Sequence, residues 1–349
     1  MSDRVPVGVL GATGMVGETL LRMLAEHPGF RVAEVGASER SAGSRLRDLI
    51  DPSALAPDVA DLEVKSLDSD WSSPVILSAL PASVARTVEP ELAGRGHLVV
   101  SNASAFRADP GVPLVIPEVN PDHLALVDHQ SDRWSGGIVT NPNCVIAGLA
   151  LAFAPLHRTF GIERASVSTY QAISGAGRPG PAAFDLVDNV IPWIGGEEPK
   201  IGAEPRKILG TLGPDGLVDA TFPVDATAVR VPVLHGHLAA VSVELAGAPG
   251  ADDVRHAFES FRGQVADLDL PTAPTPPLAV LDGNDRPQPR LDRDRGAGMT
   301  VTVGRIRPGE AFHVSFVVLS HNLVRGAAGA ALLNAELCRA QGRVPGVPA

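Results

Sequence analysis

Val5-Pro6-Val7-Gly8-Val9-Leu10-Gly11-Ala12-Thr13-Gly14-Met15-Val16-Gly17-Glu18-Thr19-Leu20-Leu21-Arg22-Met23-Leu24 decides the fold. An apolar run of strand length is broken by glycines at 11, 14 and 17, after which Leu20, Leu21 and Leu24 recur at helical spacing. The reading is strand, glycine turn, helix. Such glycines supply a tight turn, close backbone approach to a pyrophosphate, and helix-to-strand packing. Arg31 to Ala37 then alternates like a second strand, so the first forty residues form a βαβ unit with a right-handed crossover. Further strands are predicted at Val75 to Leu80, His97 to Val100 and Leu114 to Ile116, with a helix from Ser83 to Gly94. A parallel, doubly wound sheet of Rossmann type follows, and with it an α/β fold.

Composition agrees with that plan. The 349 residues suggest about two domains, and 44% hydrophobic with only 4% aromatic content is the texture of sheets covered by helices. A net charge of -11 argues against general affinity for nucleic acid or anionic membrane, which needs clustered Lys and Arg. Arg286 to Arg295 is basic, but Asp285, Asp292 and Asp294 interleave it and Pro287 and Pro289 break it, so a solvated loop is expected. Two cysteines make no disulfide framework and carry no metal-ligand spacing, so no metal is expected. Met1 to Leu10 reads as a short polar lead into a strand, without signal-peptide character. No segment has the roughly 20 apolar residues of a membrane span. These features fit a cytoplasmic compartment.

Beyond residue 143 the texture changes. Arg164 to Tyr170, Val229 to Val233, Leu238 to Leu245, Met299 to Arg305 and Ala311 to Leu319 read as longer strands with few helices among them, predicting a mostly antiparallel sheet in an α+β domain. Pro271 to Pro277 is a proline-rich loop. The resulting division is a dinucleotide-binding domain over residues 1–143, completed by a C-terminal helix within 321–349, and a catalytic and oligomerisation domain over 144–320. At the junction stands Asn141-Pro142-Asn143-Cys144, followed by an apolar run to Leu156. A thiol at a helix N-terminus is expected to have its pKa lowered toward thiolate. The alternative is a buried structural cysteine.

Two other stretches carry chemistry. Tyr170-Gln171-Ala172-Ile173-Ser174-Gly175-Ala176-Gly177 ends a strand in a glycine-rich turn, where Gln171 is placed to orient a carbonyl or a water. In Arg230-Val231-Pro232-Val233-Leu234-His235-Gly236-His237, the arginine and last histidine would face opposite sides of a straight strand. Gly236 offers the break that brings them together, and acid–base work would need an imidazole near its ordinary pKa. At the end of the second strand Ser38 and Arg40 suit a ribose 2′-phosphate, favouring NADP, while Glu39 between them leaves NAD open.

Six ordered blocks together resemble the aspartate-semialdehyde dehydrogenase family, most closely its archaeal and fungal branch. They are the glycine turn, Ala37 to Gly43, Asn141 to Cys144, Gln171 to Gly177, Arg230 to His237, and Asn322-Leu323-Val324-Arg325-Gly326-Ala327-Ala328-Gly329. The resemblance implies Cys144 as nucleophile, His237 as acid–base residue, and Gln171 as the side chain that positions the acyl intermediate. It implies Arg230 for the substrate carboxylate, Glu197 for its amino group, Arg107 and Lys200 for phosphate, and Asn143 beside the cysteine. For the cofactor it implies Gly11, Thr13, Gly14, Met15, Val16 and Gly17, then Ser38, Arg40 and Ser41, and finally Ser174, Gly175 and Asn322. A homodimer or homotetramer, assembled through the second sheet, is also implied.

The chain departs from the family where small hydroxyl residues usually follow the cysteine and a threonine follows the histidine. Here Val145, Ile146 and Leu238 occupy those places, and none can donate the hydrogen bonds of Ser or Thr. Either the surroundings are repacked or substrate choice has changed. A related acyl-phosphate or acyl-CoA reductase, of the malonyl-CoA reductase kind, therefore stands beside the main reading, as does a catalytically silent dinucleotide-binding protein.

Overall fold

The computed structural model describes residues 4–214 and 216–348; the leading Met1 to Asp3, part of the polar lead read above, lies outside them. The first half runs β1 (Val5–Leu10), α1 (Met15–Leu24), β2 (Phe30–Gly36), α2 (Pro57–Ala60), β3 (Val64–Lys65), β4 (Val75–Ser78), α3 (Ala82–Gly94), β5 (Leu98–Ser101), α4 (Ala125–Asp128) and β6 (Gly137–Thr140). These strands form one parallel six-stranded sheet in the order β3-β2-β1-β4-β5-β6. The order reverses at β1, so a crevice opens beyond the carboxyl ends of β1 and β4, where ligands bind in doubly wound sheets. Leu114 to Ile116 does not form a strand. Its backbone makes only an isolated bridge, Leu114 to Thr140, because Asn120 Oδ1 takes the Ile116 N–H at 2.9 Å and turns the chain away.

Next comes α5 (Cys144–Thr159), which starts where it does because Asn143 caps it: Oδ1 accepts the Val145 N–H at 3.0 Å. Such a cap contributes about 1 kcal/mol. The helix is apolar on every side, and every residue from Val145 to Leu156 is buried, as expected of a helix enclosed by protein rather than lying on a surface.

The second half runs β7 (Ile162–Gln171), α6 (Ala183–Leu186), α7 (Glu197–Ile208), β8 (Thr211–Gly213), β9 (Gly216–Val218), β10 (Val224–Arg230), β11 (His237–Leu245), α8 (Ala251–Ser260), β12 (Leu278–Leu281), α9 (Pro289–Asp292), β13 (Val301–Pro308) and β14 (Val314–Ser320). A second six-stranded sheet has the order β10-β7-β11-β14-β13-β12. It is mixed: the middle pairings are antiparallel, while β10 runs parallel to β7 and β12 to β13. Strict alternation of buried and half-buried residues along β11 shows one face turned to the core under α5 and α8.

Two expectations are corrected here. Val231 to Val233 is not strand; β10 stops at Arg230, where Pro232 two residues on has no N–H to extend the pairing. Arg286 to Arg295 is no merely solvated loop, since the side chain of Asp292 is fully buried and accepts hydrogen bonds from Arg286, Arg295 and the Gln288 N–H. The Arg286 guanidinium first, with the Gln288 N–H and Arg295, holds its carboxyl at about 2 against the opposing effect of burial.

The chain closes with a π-helical turn (Val324–Ala328) and α10 (Gly329–Ala340). Ala331, Leu332, Leu333, Ala335, Leu337 and Cys338 of α10 are buried in the same core as β1, β2, β4 and β5. Cys338 is thus a packed apolar-like side chain remote from solvent.

Candidate active site

Arg230, Gln171 and His237 form a row across three adjacent strands. Arg230 pairs with Gln171 in the β10–β7 register, and Leu238 faces Tyr170 in the β11–β7 register, which sets His237 beside Gln171. The arginine and histidine therefore meet by flanking β7 from opposite sides. Gly236, at φ +99°, turns the chain into β11 and is not a break within one strand. Ala172, just past β7, ties both: its carbonyl accepts from Arg230 Nη1 at 2.7 Å, and its N–H donates to His237 Nδ1 at 3.0 Å. Because Nδ1 accepts, the neutral imidazole carries its proton on Nε2. That atom lies 3.1 Å from Cys144 Sγ. Gly175 packs against the same pair; a Cβ there would lie 2.9 Å from His237 Nε2 and 2.9 Å from Arg230 Nη1.

The electrostatics correct two expectations. Burial, with the Glu197 carboxylate second, pushes the Cys144 thiol up to about 12, against the smaller opposing pull of Arg107, Arg230 and the Val145 N–H. The helix N-terminus is present, but desolvation outweighs it. Burial, together with the Arg230 guanidinium and His321, likewise holds His237 down at about 3, well below an ordinary imidazole. The resting pair is neutral thiol beside neutral imidazole.

Glu197, at the first turn of α7, is the hub of the polar cluster. It accepts from Asn143 Nδ2 at 2.9 Å, from Lys200 Nζ at 2.9 Å and from Gln171 Nε2 at 3.3 Å. Arg107 is buried, giving Nη2 to the Asn102 carbonyl at 2.6 Å and Nη1 to Glu204 at 3.2 Å. Arg107, Lys200, Glu204 and Lys207 line a cavity of about 600 Å³ on this side of Cys144. Val145 and Ile146 are buried in the second core and Leu238 is half-buried in β11, so the departures from the family pattern are filled by apolar packing.

On the other side Cys144 borders a cleft of about 660 Å³ between the two sheets, shared with Thr13, Gly14, Met15, Val16, Arg40, Ser174, Gly175 and Asn322. Gly11, Gly17, Ser38 and Ser41 do not line it. Gly11 (φ +72°) and Gly17 shape the turn instead: a Cβ at Gly17 would lie 2.2 Å from Gly11 O, and one at Gly11 2.6 Å from Ala79 O. The cleft fits a dinucleotide. Gly14 is the N-cap of α1 and has no side chain to take the first-turn N–H groups, which leaves them for an anion, and Arg40 stands at the far end beside exposed Ser38. Ser174 Oγ, Asn322 and His235 are hydrogen-bonded together, and Asn322 Oδ1 accepts the Gly236 N–H at 2.8 Å, linking the cleft wall to the histidine turn.

Sequence reasoning missed Glu204, Lys207, Arg178 and the Ala79-Leu80-Pro81 wall. The wall had a signal, since it follows the carboxyl end of β4; Glu204 and Lys207 continue the helical spacing of Glu197 and Lys200. Arg178, which pairs with Glu18 of α1 across the cleft, had none. Among the described residues no cluster of three or more His, Cys, Asp or Glu could hold a metal ion, and no helix is long and apolar enough to cross a membrane.

A dinucleotide cleft that ends on a cysteine paired with a histidine defines an oxidoreductase of the nicotinamide-dependent class. Residues 6–127 match the family model "Semialdehyde dehydrogenase, NAD binding domain" and residues 153–325 match "Semialdehyde dehydrogenase, dimerisation domain". The aspartate-semialdehyde dehydrogenase of Archaeoglobus fulgidus is 47% identical over 96% of this chain and 98% of its own, and that of Aspergillus fumigatus 42% identical over 97% and 98%. The chain belongs to the aspartate-semialdehyde dehydrogenase family. Its fold matches the crystal structure of the Candida albicans enzyme with NADP at a TM-score of 0.90, with 38% identity over 97% of this chain and 99% of that one. The Vibrio cholerae aspartate-semialdehyde dehydrogenase II matches at 0.78, with 30% identity over 96% and 98%.

Proposed function

We propose that this chain catalyses the reversible, NADPH-dependent reductive dephosphorylation of L-aspartyl 4-phosphate to L-aspartate 4-semialdehyde. The observation that carries the reading is the 3.1 Å contact between Cys144 Sγ and His237 Nε2 at the meeting point of the dinucleotide cleft and the Arg230, Glu197, Lys200 and Arg107 cluster. Support for the cofactor comes from the open N-terminus of α1, from Arg40, and from the NADP of the Candida structure.

In this mechanism Arg230 holds the substrate α-carboxylate with its planar fork, Glu197 meets the ammonium, and Arg107 and Lys200 hold the phosphate. The Cys144 sulfur attacks the acyl carbon; the S–C bond forms, the C–O bond breaks, and phosphate leaves with the electron pair and takes up the thiol proton. Gln171 steadies the resulting thioester oxygen. Bound NADPH supplies the hydride that reduces the thioester carbon. His237, whose Nε2–H faces the sulfur, hydrogen-bonds the thiolate as it is expelled and the aldehyde forms, and the sulfur regains its proton from solvent. The first-turn N–H groups of α1, with Thr13 and Gly14, would hold the cofactor pyrophosphate. Ser38, Arg40 and Ser41 would hold its 2′-phosphate, and Ser174, Gly175 and Asn322 its nicotinamide half.

The test is an assay of NADPH formation from aspartate semialdehyde, phosphate and NADP. Activity is expected for the parent and loss of at least about 1,000-fold for Cys144→Ser; turnover of malonyl-CoA in place of the semialdehyde would select the rival reductase. For the assembly, the match to a dimerisation domain supports a homo-oligomer. We place its contact on the face of the second sheet opposite α5, where Tyr170 is 42% exposed. A dimer or tetramer mass by light scattering, lost on Tyr170→Glu, is the expected result.

A further inference from the structure

Helix α7 carries charge in one stripe: Glu197 and Lys200 are followed at helical spacing by Glu204 and Lys207, and the last two are both buried. Glu204 divides its carboxylate between two places. Oε1 accepts from Arg107 Nη1 at 3.2 Å, and Oε2 accepts the backbone N–H of Asn143 at 2.7 Å. Asn143 is the cap residue immediately before Cys144. One rigid carboxylate thus holds a guanidinium and the backbone that launches the nucleophile. Lys207, one turn on, fixes the same arginine loop from behind, donating to the carbonyls of Arg107, Asp109 and Val112 at 2.8, 2.7 and 2.8 Å.

We propose that Glu204 is a positioning residue that sets the spacing between Arg107 and the Cys144 sulfur. The inference rests on the reading of Arg107 as a phosphate ligand. In an acyl phosphate the attacked carbon and the departing phosphate are joined through a single oxygen, so the group that receives phosphate and the sulfur that attacks must be held in fixed register. Arg107 and Cys144 lie on different elements, β5 being followed by the arginine loop and β6 by α5. Glu204 bonds Arg107 on one side and, on the other, the backbone N–H of Asn143, the residue before Cys144.

The two bonds can be cut separately. In Glu204→Gln the amide oxygen still accepts the Asn143 N–H, but the amide nitrogen meets Arg107 donor to donor. The expected result is a rise of about tenfold or more in KM for phosphate during semialdehyde oxidation, with the rate of Cys144 alkylation by iodoacetamide within about twofold of the parent. Glu204→Ala cuts both bonds and changes the alkylation rate and its pH profile as well. A parental phosphate KM in Glu204→Gln overturns the proposal, as does a melting-temperature loss and alkylation change without any effect on phosphate KM. Should that variant not fold, Glu204→Asp keeps the charge yet is too short to span both partners, and is read by the same phosphate KM. Arg107→Ala separates this idea from its premise. If Arg107→Ala leaves phosphate KM unchanged, the phosphate reading itself falls. If it raises the KM while Glu204→Gln does not, only the positioning role falls.

Discussion

At the scale of single residues, the proposed nucleophile is held in reserve. Burial first, and the Glu197 carboxylate second, keep Cys144 protonated, while Nδ1 of His237 is committed to the Ala172 N–H. In the proposed mechanism a substrate ammonium that pairs with Glu197 cancels part of the charge opposing the thiolate, so the cysteine becomes reactive when substrate arrives. Glu197→Gln should therefore raise the iodoacetamide reactivity of Cys144 at pH 7.5 by about three- to tenfold while lowering turnover, because the amino group loses its counter-charge; unchanged alkylation would contradict this. The place of Cys144 at a helix start was legible from Asn143-Cys144 and the apolar run behind it. Its protonation was not, because desolvation depends on walls brought from distant segments, among them those of Gly175, His237 and Gly326, whereas the sequence displays only the helix start. Glu204 was hidden for the same reason: its partners Arg107 and Asn143 lie 97 and 61 residues away.

At the scale of elements, the π-helical turn and α5 meet with no room to spare. A Cβ on Gly326 would lie 2.7 Å from Cys144 O and 2.8 Å from its Cα, and backbone atoms cannot swing aside as a flexible side chain would. Gly326→Ala should shift the sulfur or the turn, costing about 1–3 kcal/mol of stability and roughly 100-fold in kcat for a displacement near 1 Å. Gly94, at the end of α3, has nothing within 4 Å of its would-be Cβ, so Gly94→Ala in the same assays should change stability by less than about 1 kcal/mol. The βαβ unit could be read directly, since glycine spacing and leucine periodicity are local signals. Leu114 to Ile116 looked like another strand because apolar runs of three residues carry no information about partners; the Val115 N–H reaches Thr140 O, but the Ile116 N–H goes to Asn120 Oδ1 and the ladder stops there. Strand β10 was placed too late because Val231 to Val233 is as β-prone as its neighbours, with only Pro232 to mark the stop.

At the scale of the whole molecule, buried titratable groups of opposite type bound the pH range of stability. Burial, partly offset by the nearby Ser78 hydroxyl, the hydrogen bond from Ser101 and Arg107, raises Glu89 to about 7. The folded chain keeps that proton where an unfolded glutamic acid would release it, so stability present below about pH 4.5 is lost as pH rises through 7. Burial lowers His237 to about 3 and His321 to about 4. The unfolded chain takes up protons below about pH 6.5 that these sites refuse, so stability falls on acidification from there. Glu89→Gln should raise the melting temperature at pH 8, by up to about 3 kcal/mol in stability terms, and leave it nearly unchanged at pH 4.5; equal effects at both would refute the assignment. The mixed character of the second sheet shows only at this scale, because parallel edge pairs join strands far apart in the chain. The packing of α10 into the first core has a further consequence for synthesis. About 190 residues separate β6 from α10, which a ribosome adds in roughly 10–40 s. Throughout that interval the nascent parallel sheet lacks its last covering helix and presents bare valine and leucine side chains to solvent. A chain arrested after Ser320 should be captured by chaperones and cut rapidly by protease within residues 5–140, and one extended past Ala340 beyond the exit tunnel should be released and resistant.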